Sequence, residues 1–390
     1  MKPWKDQDLS NRRVLLRTDL NLPVEGGRPQ KTLRFERYME TVDELSGRDA
    51  KTVVMTHQGR PGREDFVSLE NHAEMMSQHL GGEVKFIPSF FGPEAEEKIE
   101  ALDSGDVALM ENTRFLSEEL RNRGPEEHAK NHFVRKLSKK FDTFVNDAFS
   151  AAHRSHGSLV GFNQHLESLA GPVMMEEVEN CRDIRENLEE PLLVLGGEKP
   201  GDIADIMDNM AGRARKVLLG GVPGELAVMA DGNDIGGKRE WVEKRGMDKH
   251  LEKFKELLDQ YREKIVVPED FQTDKGIHEA GDIPEKAFTW DIGNRTEEKF
   301  CQDIRDSDSL LMKGAMGAFD RGFENGTRKV MDEVADSDGF TVLGGGHTSS
   351  LVGRYGLSIG EFSHVSIAGG AFVRFISGEE LPVIDALKQY

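Results

Sequence analysis

Residues 14–21 read VLLRTDLN, a short apolar run that turns directly into charged and polar side chains. The pattern recurs along the chain: a few apolar residues, then a turn rich in Gly, Asp or His, then a polar stretch with helical periodicity. The other apolar runs of this kind are 52–55, 107–110, 144–145, 192–195, 217–219, 265–267, 309–312 and 340–343. The polar stretches between them include 68–80, 126–140 and 249–264. Short buried strands that alternate with amphipathic helices predict an α/β fold with largely parallel sheets.

The number of these units predicts two domains. One sheet cannot hold them all, and 390 residues exceed the usual size of a single domain. We therefore predict two doubly wound parallel-sheet (Rossmann-like) domains. The division is expected near residues 162–190, with residues 176–188 forming a hinge helix between them.

The charge of the chain limits its partners. It has 51 Lys and Arg against 71 Asp and Glu, a formal net charge of −20. Such a charge repels nucleic acid and anionic lipid, so we expect neither as a partner. The acid surplus is either a solubility feature or an adaptation to high intracellular salt, and composition does not separate the two.

The compartment follows from what the sequence lacks. Its two cysteines, Cys181 and Cys301, are too far apart for a CxxC or zinc motif. Residues 1–11 carry no apolar secretory signal, and no apolar run approaches the roughly 18 residues of a membrane span. We therefore expect a cytoplasmic protein.

Basic residues gather after the apolar runs of the first half. In open parallel sheets ligands bind beyond the carboxyl ends of the strands, so these residues should converge. Arginine forks suit phosphate and carboxylate oxygens, whereas Asp19 and Asn21 could bind a hydroxyl, which predicts a site for a small hydroxylated anion. The alternative is that each Arg only pairs with a surface carboxylate. The residues concerned are Arg17, Asp19, Asn21, Arg34, His57, Arg60, Arg63, Glu111, Arg114, His153, Arg154 and His156.

Glycines occupy the equivalent positions in the second half. They lie at 196–197, 220–221, 236–237, 314 and 317, 344–346 and 369–370. Glycine lets a backbone approach a ligand and point its N–H groups at phosphate oxygens, and a helix beginning there adds dipole attraction. Neither the P-loop nor the GxGxxG fingerprint is present. The alternative for each pair is a tight turn, but the set predicts a nucleotide groove, and two such lobes favour phosphoryl transfer.

The motifs resemble those of the phosphoglycerate kinase family, and in particular its archaeal branch, including salt-adapted members. The matching segments are RTDLNLP (17–23), THQGRPG (56–62), ENTRF (111–115), VNDAFSAAHRSHGSLVGF (145–162), LGGEK (195–199), KGAMGAF (313–319), GGGHT (344–348), HVSIAGGA (364–371) and GEELP (378–382). The resemblance implies a reversible transfer of phosphoryl from 1,3-bisphosphoglycerate to ADP, with magnesium, in a two-domain enzyme closing at a hinge. It divides the chain into a 3-phosphoglycerate domain, 1–165, and a nucleotide domain, 166–374, with the tail 375–390 packing back on the first.

The resemblance also assigns roles. Arg34 would steady the acyl-phosphate end and Lys199 would contact the transferring phosphoryl group, so these two are the catalytic candidates. The residues implied to bind 3-phosphoglycerate are Asp19, Asn21, Arg34, His57, Gln58, Gly59, Arg60, Arg114 and Arg154. The residues implied to bind ATP or ADP are Lys199, Gly220, Gly221, Trp290, Lys313, Asp320, Gly345, Gly346, His347, Thr348, Gly369 and Gly370.

Three positions depart from the commonest family pattern. A second Lys, four residues after Lys199, is replaced by Ile203; an Asn before the Gly of NGP is Lys313; and the Asp that approaches magnesium is His347. We hypothesise that Lys313 supplies the charge missing at Ile203. The protein ligands of Mg²⁺ stay undefined, because imidazole is a poor partner for a hard cation.

These departures leave two other functions open: a non-catalytic anion-binding relative, and a kinase of a different small acid on similar lobes. For the oligomeric state we expect a monomer, with a homodimer as the alternative.

Overall fold

The computed structural model describes residues 1–366 and 368–389, and of residues 346 and 347 the backbone alone. The chain forms two compact units. Unit 1 comprises residues 1–180 and the segment from Glu380 onward; unit 2 comprises 181–379. The resemblance predicts the boundaries between the two domains at 165/166 and 374/375. Within the described residues, no helix combines the length and apolar character needed to cross a membrane.

Unit 1 is built on a six-stranded parallel sheet with the order β5-β6-β4-β1-β7-β8. Its strands, with the small β2-β3 hairpin, are β1 (Arg13–Arg17), β2 (Val24–Glu25), β3 (Arg28–Pro29), β4 (Lys51–Met55), β5 (Val84–Ile87), β6 (Val107–Met110), β7 (Thr143–Asn146) and β8 (Glu167–Ala170). Its helices are α1 (Leu33–Gly47), α2 (Glu70–Leu80), α3 (Pro93–Glu100), α4 (Pro125–His128), α5 (His132–Leu137) and α6 (Gly157–Val160). Helix α7 (Pro172–Asn187) begins in unit 1 and ends in unit 2.

Unit 2 repeats the plan with a six-stranded parallel sheet, β11-β10-β9-β15-β16-β17, and adds an antiparallel sheet, β13-β12-β14. The strands are β9 (Leu192–Leu195), β10 (Lys216–Leu219), β11 (Ile265–Val266), β12 (Asp270–Thr273), β13 (Gly276–Glu279), β14 (Thr289–Ile292), β15 (Ser309–Lys313), β16 (Phe340–Gly344) and β17 (His364–Ser366). The helices are α8 (Pro200–Met210), α9 (Gly221–Ala230), α10 (Lys238–Lys244), α11 (Leu251–Tyr261), α12 (Asn294–Arg305), α13 (Asn325–Ala335), α14 (Gly346–Arg354) and α15 (Gly369–Ile376). Helix α16 (Pro382–Gln389) belongs to unit 1.

Both faces of the unit 1 sheet are covered by apolar cores. Val14 and Leu16 of β1 lie in one core, whereas Leu15 between them lies in the other, and all three are fully buried. Side chains alternate across a strand, so a strand buried on both faces is a continuous apolar run. The pattern that opened the sequence analysis is therefore the pattern of a doubly wound sheet, and the α/β prediction is confirmed.

The predicted elements are found with some changes. Each of the nine apolar runs lies in a strand of the two parallel sheets. The stretches 68–80 and 249–264 contain α2 and α11, and the predicted hinge helix lies in α7. The polar stretch 126–140 is helical but interrupted: it forms α4, α5 and a 3₁₀ turn in place of one continuous helix. The break occurs where the Asn131 N–H bonds the His128 carbonyl three residues back instead of continuing an α-helix.

Candidate functional site

The polar residues after β1, β4, β6 and β7 of unit 1 lie at one edge of its sheet, because these four strands are neighbours in a parallel sheet. The side chain of Thr32 caps the start of α1 by accepting from the Phe35 N–H, which places Arg34 in the first turn, beside this edge. The predicted convergence of Arg34 with the strand-end residues is therefore found.

Asp19 lies at the centre of this group. One of its carboxylate oxygens accepts from the Ser150 hydroxyl and lies 3.5 Å from the Arg34 guanidinium; the other is 3.7 Å from His57 Nε2. Burial opposes ionisation of Asp19, but the charges of Arg34 and Arg17 and the Ser150 hydrogen bond outweigh it, so its pKa lies below the ordinary value. The carboxylate stays ionised and can accept a hydrogen bond from a ligand hydroxyl.

Buried side-chain amides hold the loop 57–60 in place. Asn112 Oδ1 accepts from the Gln58 N–H, and its Nδ2 donates to the Gln58 carbonyl. The Gln58 side chain bonds both the N–H and the carbonyl of Leu22, and its Oε1 also contacts His72 Nε2 at 3.1 Å. The Gln58 side chain thus supports the loop, and the binding role expected of this residue stays a prediction.

Gly59 and Arg114 connect this loop with the turn after β6. Gly59 has a φ of +65°, and a Cβ there would lie 2.3 Å from the Asp65 carbonyl oxygen, so only glycine fits. Its N–H donates to Asn21 Oδ1 at 2.9 Å, and its carbonyl accepts from Arg114. Among the described residues, the buried Nε of Arg114 has no hydrogen-bond partner, which leaves a donor for an oxyanion.

Positive charge dominates the rest of this edge. Burial and the nearby Arg154 and Arg17 lower the pKa of Arg114 to about 10, and burial lowers that of Arg154 as well. Burial and the surrounding arginines lower the pKa of His156 to about 3, so this imidazole is neutral. Cations held this close repel one another, and an anionic ligand would relieve that repulsion.

Four helices of unit 2 begin at the ends of its parallel strands. Helices α8, α9, α14 and α15 follow β9, β10, β16 and β17 within a few residues, each start containing or adjoining glycine or proline. The dipoles at these helix starts favour phosphate oxygens at this edge, although the Gly221 and Val222 N–H groups of α9 already donate to the Met316 and Gly197 carbonyls. Gly369 and Gly370 open α15. Gly346 and His347 open α14, and the His347 side chain lies outside the described residues.

Several of these glycines are required by packing between turns, a reason that sequence reasoning missed. A Cβ on Gly314 would fall 2.2 Å from the Gly196 carbonyl oxygen, and one on Gly221 would fall 2.8 Å from Gly197. A Cβ on Gly220 would meet the Met316 sulfur at 2.5 Å. These three accommodate neighbouring protein atoms. A Cβ on Gly345, by contrast, would lie 3.8 Å from the nearest atom among the described residues, the Gly369 Cα.

Two lysines lie near the turn after β9. Lys199 is the N-cap of α8, and Lys313 ends β15, beside Leu195 in the register. Burial and the nearby Lys199 lower the pKa of Lys313, whose Nζ is 3.7 Å from Asp202. Ile203 is 1% exposed on the inner face of α8, so a lysine there would enter the core.

Aromatic and cationic side chains pack around Trp290 on β14. Its ring stacks on Phe323 with centroids 5.4 Å apart and meets Phe288 at 4.4 Å. The Arg321 guanidinium lies 4.9 Å from the ring centroid and Lys238 Nζ 5.3 Å. Asp320 precedes Arg321 on an exposed 3₁₀ turn. A cavity of about 290 Å³ borders Phe323, and none of the predicted nucleotide residues lines it.

Ser150, which donates to Asp19, is a functional candidate that was missed from sequence. The Thr348 hydroxyl, which was predicted to bind nucleotide, is buried and accepts from the Gly314 N–H at 2.9 Å. Only its place after β7 could have indicated Ser150. Over the part of the chain described, no three His, Cys, Asp or Glu side chains are grouped to hold a metal ion. Mg²⁺ is usually held largely by phosphate oxygens and waters, which fits its arrival with a nucleotide.

Comparison with known proteins gives one family. The family model described as phosphoglycerate kinase matches residues 4–379. Curated relatives named phosphoglycerate kinase include one from Methanopyrus kandleri, 40% identical over 98% of this chain and 96% of the relative, and one from Halorubrum lacusprofundi, 42% identical over 96% and 95%. The crystal structure of phosphoglycerate kinase from Pyrococcus horikoshii has a TM-score of 0.89 at 38% identity, covering 100% of this chain and 98% of that one.

Proposed function

The chain belongs to the phosphoglycerate kinase family, and from that premise we propose the roles of the residues in its two units. Its activity is the reversible transfer of a phosphoryl group between 1,3-bisphosphoglycerate and ADP, which gives 3-phosphoglycerate and ATP. The nucleotide is used with Mg²⁺ as the metal–nucleotide substrate. The non-catalytic relative and the kinase of another acid are therefore set aside.

Unit 1 is the 3-phosphoglycerate domain in this proposal. The observation that carries it is the convergence of Arg34, His57 and Arg114 around the ionised Asp19, in a chain whose net charge is −20. Arg60, Arg114 and Arg154 would neutralise the 3-phosphate, which needs positive donors. Asp19 and Asn21 would bind the hydroxyl.

Arg34 would steady the reacting carboxylate end. It lies in the first turn of α1, 3.3 Å from the Asn21 carbonyl and 3.5 Å from Asp19. The acceptor carboxylate of 3-phosphoglycerate is already ionised, so the transfer needs no general base. Catalysis then depends on positioning and on neutralising the charge of the transferring group.

Unit 2 is the nucleotide domain in this proposal. Lys199 and Lys313 would contact the phosphates, the helix starts with Gly345 and Gly369 would supply N–H donors, and Trp290 would border the adenine. Support comes from Lys313 at the end of β15, which lies near Lys199, and from the glycines at the starts of α14 and α15. Hinge closure, which would bring the two substrates together, stays a prediction of the resemblance.

Finer properties of the protein are proposed on less direct grounds. We propose a cytoplasmic, monomeric enzyme of a salt-adapted archaeon that binds neither nucleic acid nor membranes. The charge of −20 and the relatives from Halorubrum lacusprofundi and other archaea support this proposal.

Replacement of the two catalytic candidates tests the assignment. In a coupled assay with 3-phosphoglycerate, ATP and Mg²⁺, we expect Arg34→Ala and Lys199→Ala each to lower kcat by more than about tenfold, because each removes a charge that stabilises the transferring group. Matched controls are Arg48→Ala, just past the other end of α1, and Lys244→Ala, 72% exposed on α10. Near-normal kcat in both test variants would refute the assigned roles.

A further inference from the structure

A chain of buried hydrogen bonds leads from Glu119 to His57 in unit 1. Glu119 accepts from the Ser158 hydroxyl at 2.6 Å and from the Ser158 N–H at 2.7 Å. Ser158 Oγ in turn accepts from Arg17 Nε at 2.8 Å, and Arg17 NH2 lies 3.1 Å from His57 Nδ1. None of these four side chains is more than 4% exposed.

The direction of each hydrogen bond follows from chemistry. Arginine has donors and no acceptor, so His57 Nδ1 must accept and carries no proton. A neutral imidazole bears its proton on the other nitrogen, so the proton of His57 is on Nε2. The Ser158 hydroxyl donates a hydrogen bond to Glu119, and its oxygen accepts the hydrogen bond from Arg17 Nε.

The Nε2–H of His57 faces the predicted substrate position. Its distance to Asp19 Oδ1 is 3.7 Å, beyond a hydrogen bond, so the proton is available to a ligand oxygen. From the strands and loops around it, His57 is faced by Asp19 and by the cations Arg17, Arg114 and Arg154. Burial and these positive charges lower the pKa of His57 well below its ordinary value.

We propose that Glu119 is a positioning residue of the substrate site, which acts through Ser158 and Arg17 to hold His57 as the neutral Nε2–H tautomer. His57 is thereby a hydrogen-bond donor of fixed direction and constant charge. Glu119 also supplies the negative charge that Arg17 needs in order to remain buried beside the other cations. This proposal rests on the proposed function only in naming 3-phosphoglycerate as the molecule His57 meets.

Glu119→Gln disrupts the relay with little change of shape. The amide donates from one of its two terminal atoms, so Ser158 loses either the acceptor of its hydroxyl or that of its N–H, and Arg17 loses its counter-charge. We expect the KM for 3-phosphoglycerate to rise about tenfold while kcat and the KM for ATP change less than about twofold. Glu118→Gln is the matched control, since Glu118 accepts from the His132 N–H and lies outside the relay.

The tautomer is measured directly on the free protein by ¹⁵N NMR of the histidine rings between pH 5 and 8, with His57 assigned from a His57→Gln variant. In the unmodified enzyme we expect an unprotonated Nδ1 and a protonated Nε2 throughout. In Glu119→Gln, where Arg17 is no longer held against Nδ1, the ring should populate both neutral tautomers, with part of the proton on Nδ1.

The outcomes distinguish the relay from Glu119 to His57 from the proposal that His57 binds 3-phosphoglycerate. A His57 that carries its proton on Nδ1, or is charged at pH 7, in the unmodified enzyme would overturn the relay without any variant. Unchanged His57 spectra and KM in Glu119→Gln would also overturn it; should that variant not fold, Ser158→Ala takes its place. If the tautomer is as expected but His57→Gln leaves the KM for 3-phosphoglycerate unchanged, the substrate assignment fails and the relay stands.

Discussion

We propose that Lys313 supplies a charge that the family pattern places elsewhere in the chain. Where the family pattern has a second lysine on α8, this chain has Ile203, which is 1% exposed in the core. Lys313 ends the adjacent strand β15, and its side chain is 13% exposed. Burial and the nearby Lys199 lower the pKa of this ammonium, and an anionic phosphate between the two lysines would oppose that effect.

Lys313→Ala should therefore raise the nucleotide KM and lower kcat, with a loss in kcat/KM of at least about tenfold, because one cation of the phosphate site is removed. The measurement is steady-state kinetics with ATP varied at saturating 3-phosphoglycerate. Lys313→Arg, which keeps the charge, should retain more activity than the alanine variant.

Lys216→Ala is the control for this experiment, since Lys216 lies at the start of β10, which β9 separates from β15, and pairs there with Asp303. A Lys313→Ala enzyme with unchanged kcat and nucleotide KM would contradict the proposal that Lys313 replaces the charge missing at Ile203.

At the level of elements, the sequence is informative where a strand is buried on both sides. The three parallel strands missed from sequence, β5, β8 and β17, all lie at an edge of their sheet. An edge strand has one neighbour and is less buried, so its sequence is less uniformly apolar: β5 reads VKFI and β17 reads HVS. The central strands read VLL or LLVL and were found.

The sequence predicts part of the candidate site, and it does so because strands place the residues that follow them. Residues directly after a central strand, such as Asp19 and His57, are placed by the strand itself. The groups that orient them come from distant parts of the chain: Ser150 is 131 residues from Asp19, and Ser158 is 141 from Arg17. No local pattern contains such contacts, so only the folded structure could reveal them.

The glycine turns of unit 2 give a prediction for an element. Gly314 has a φ of +86° and no room for a Cβ beside Gly196, whereas Gly232 has a φ of +90° with nothing within 4 Å. Alanine at either position meets the same backbone strain, about 1 kcal/mol, but only at Gly314 does it also force two turns apart. We expect Gly314→Ala to lower the free energy of unfolding by at least about 2 kcal/mol more than Gly232→Ala.

Denaturant unfolding of the two variants checks this difference, and kinetics adds a second measure. Because Gly314 follows Lys313, displacement of its turn should also raise the nucleotide KM, which Gly232→Ala should leave unchanged. Equal losses of stability in the two variants would show that the packing of the turns contributes little.

At the scale of the whole molecule, the charged residues behind the net charge of −20 fall into two groups. Cations are concentrated at the substrate edge of unit 1, and many acidic residues are exposed and paired only at the surface, where ion pairs contribute little. The remaining acid surplus repels itself and disfavours the compact state at low salt. Salt shortens the range of that repulsion from about 10 Å at 0.1 M to about 3 Å at 1 M.

We therefore expect both the melting temperature and the activity to rise as KCl is increased from 0.1 to 2 M. Screening also weakens the surface ion pairs, so the sign of the effect tests whether repulsion or pairing dominates.

A matched variant replaces five exposed glutamates by glutamine: Glu97, Glu243, Glu252, Glu263 and Glu298. With five negative charges fewer, this variant should be more stable than the unmodified protein in 0.1 M KCl and gain less from added salt. Full stability and activity of the unmodified protein without salt would show that the acid surplus serves solubility and is no adaptation to a saline cytoplasm.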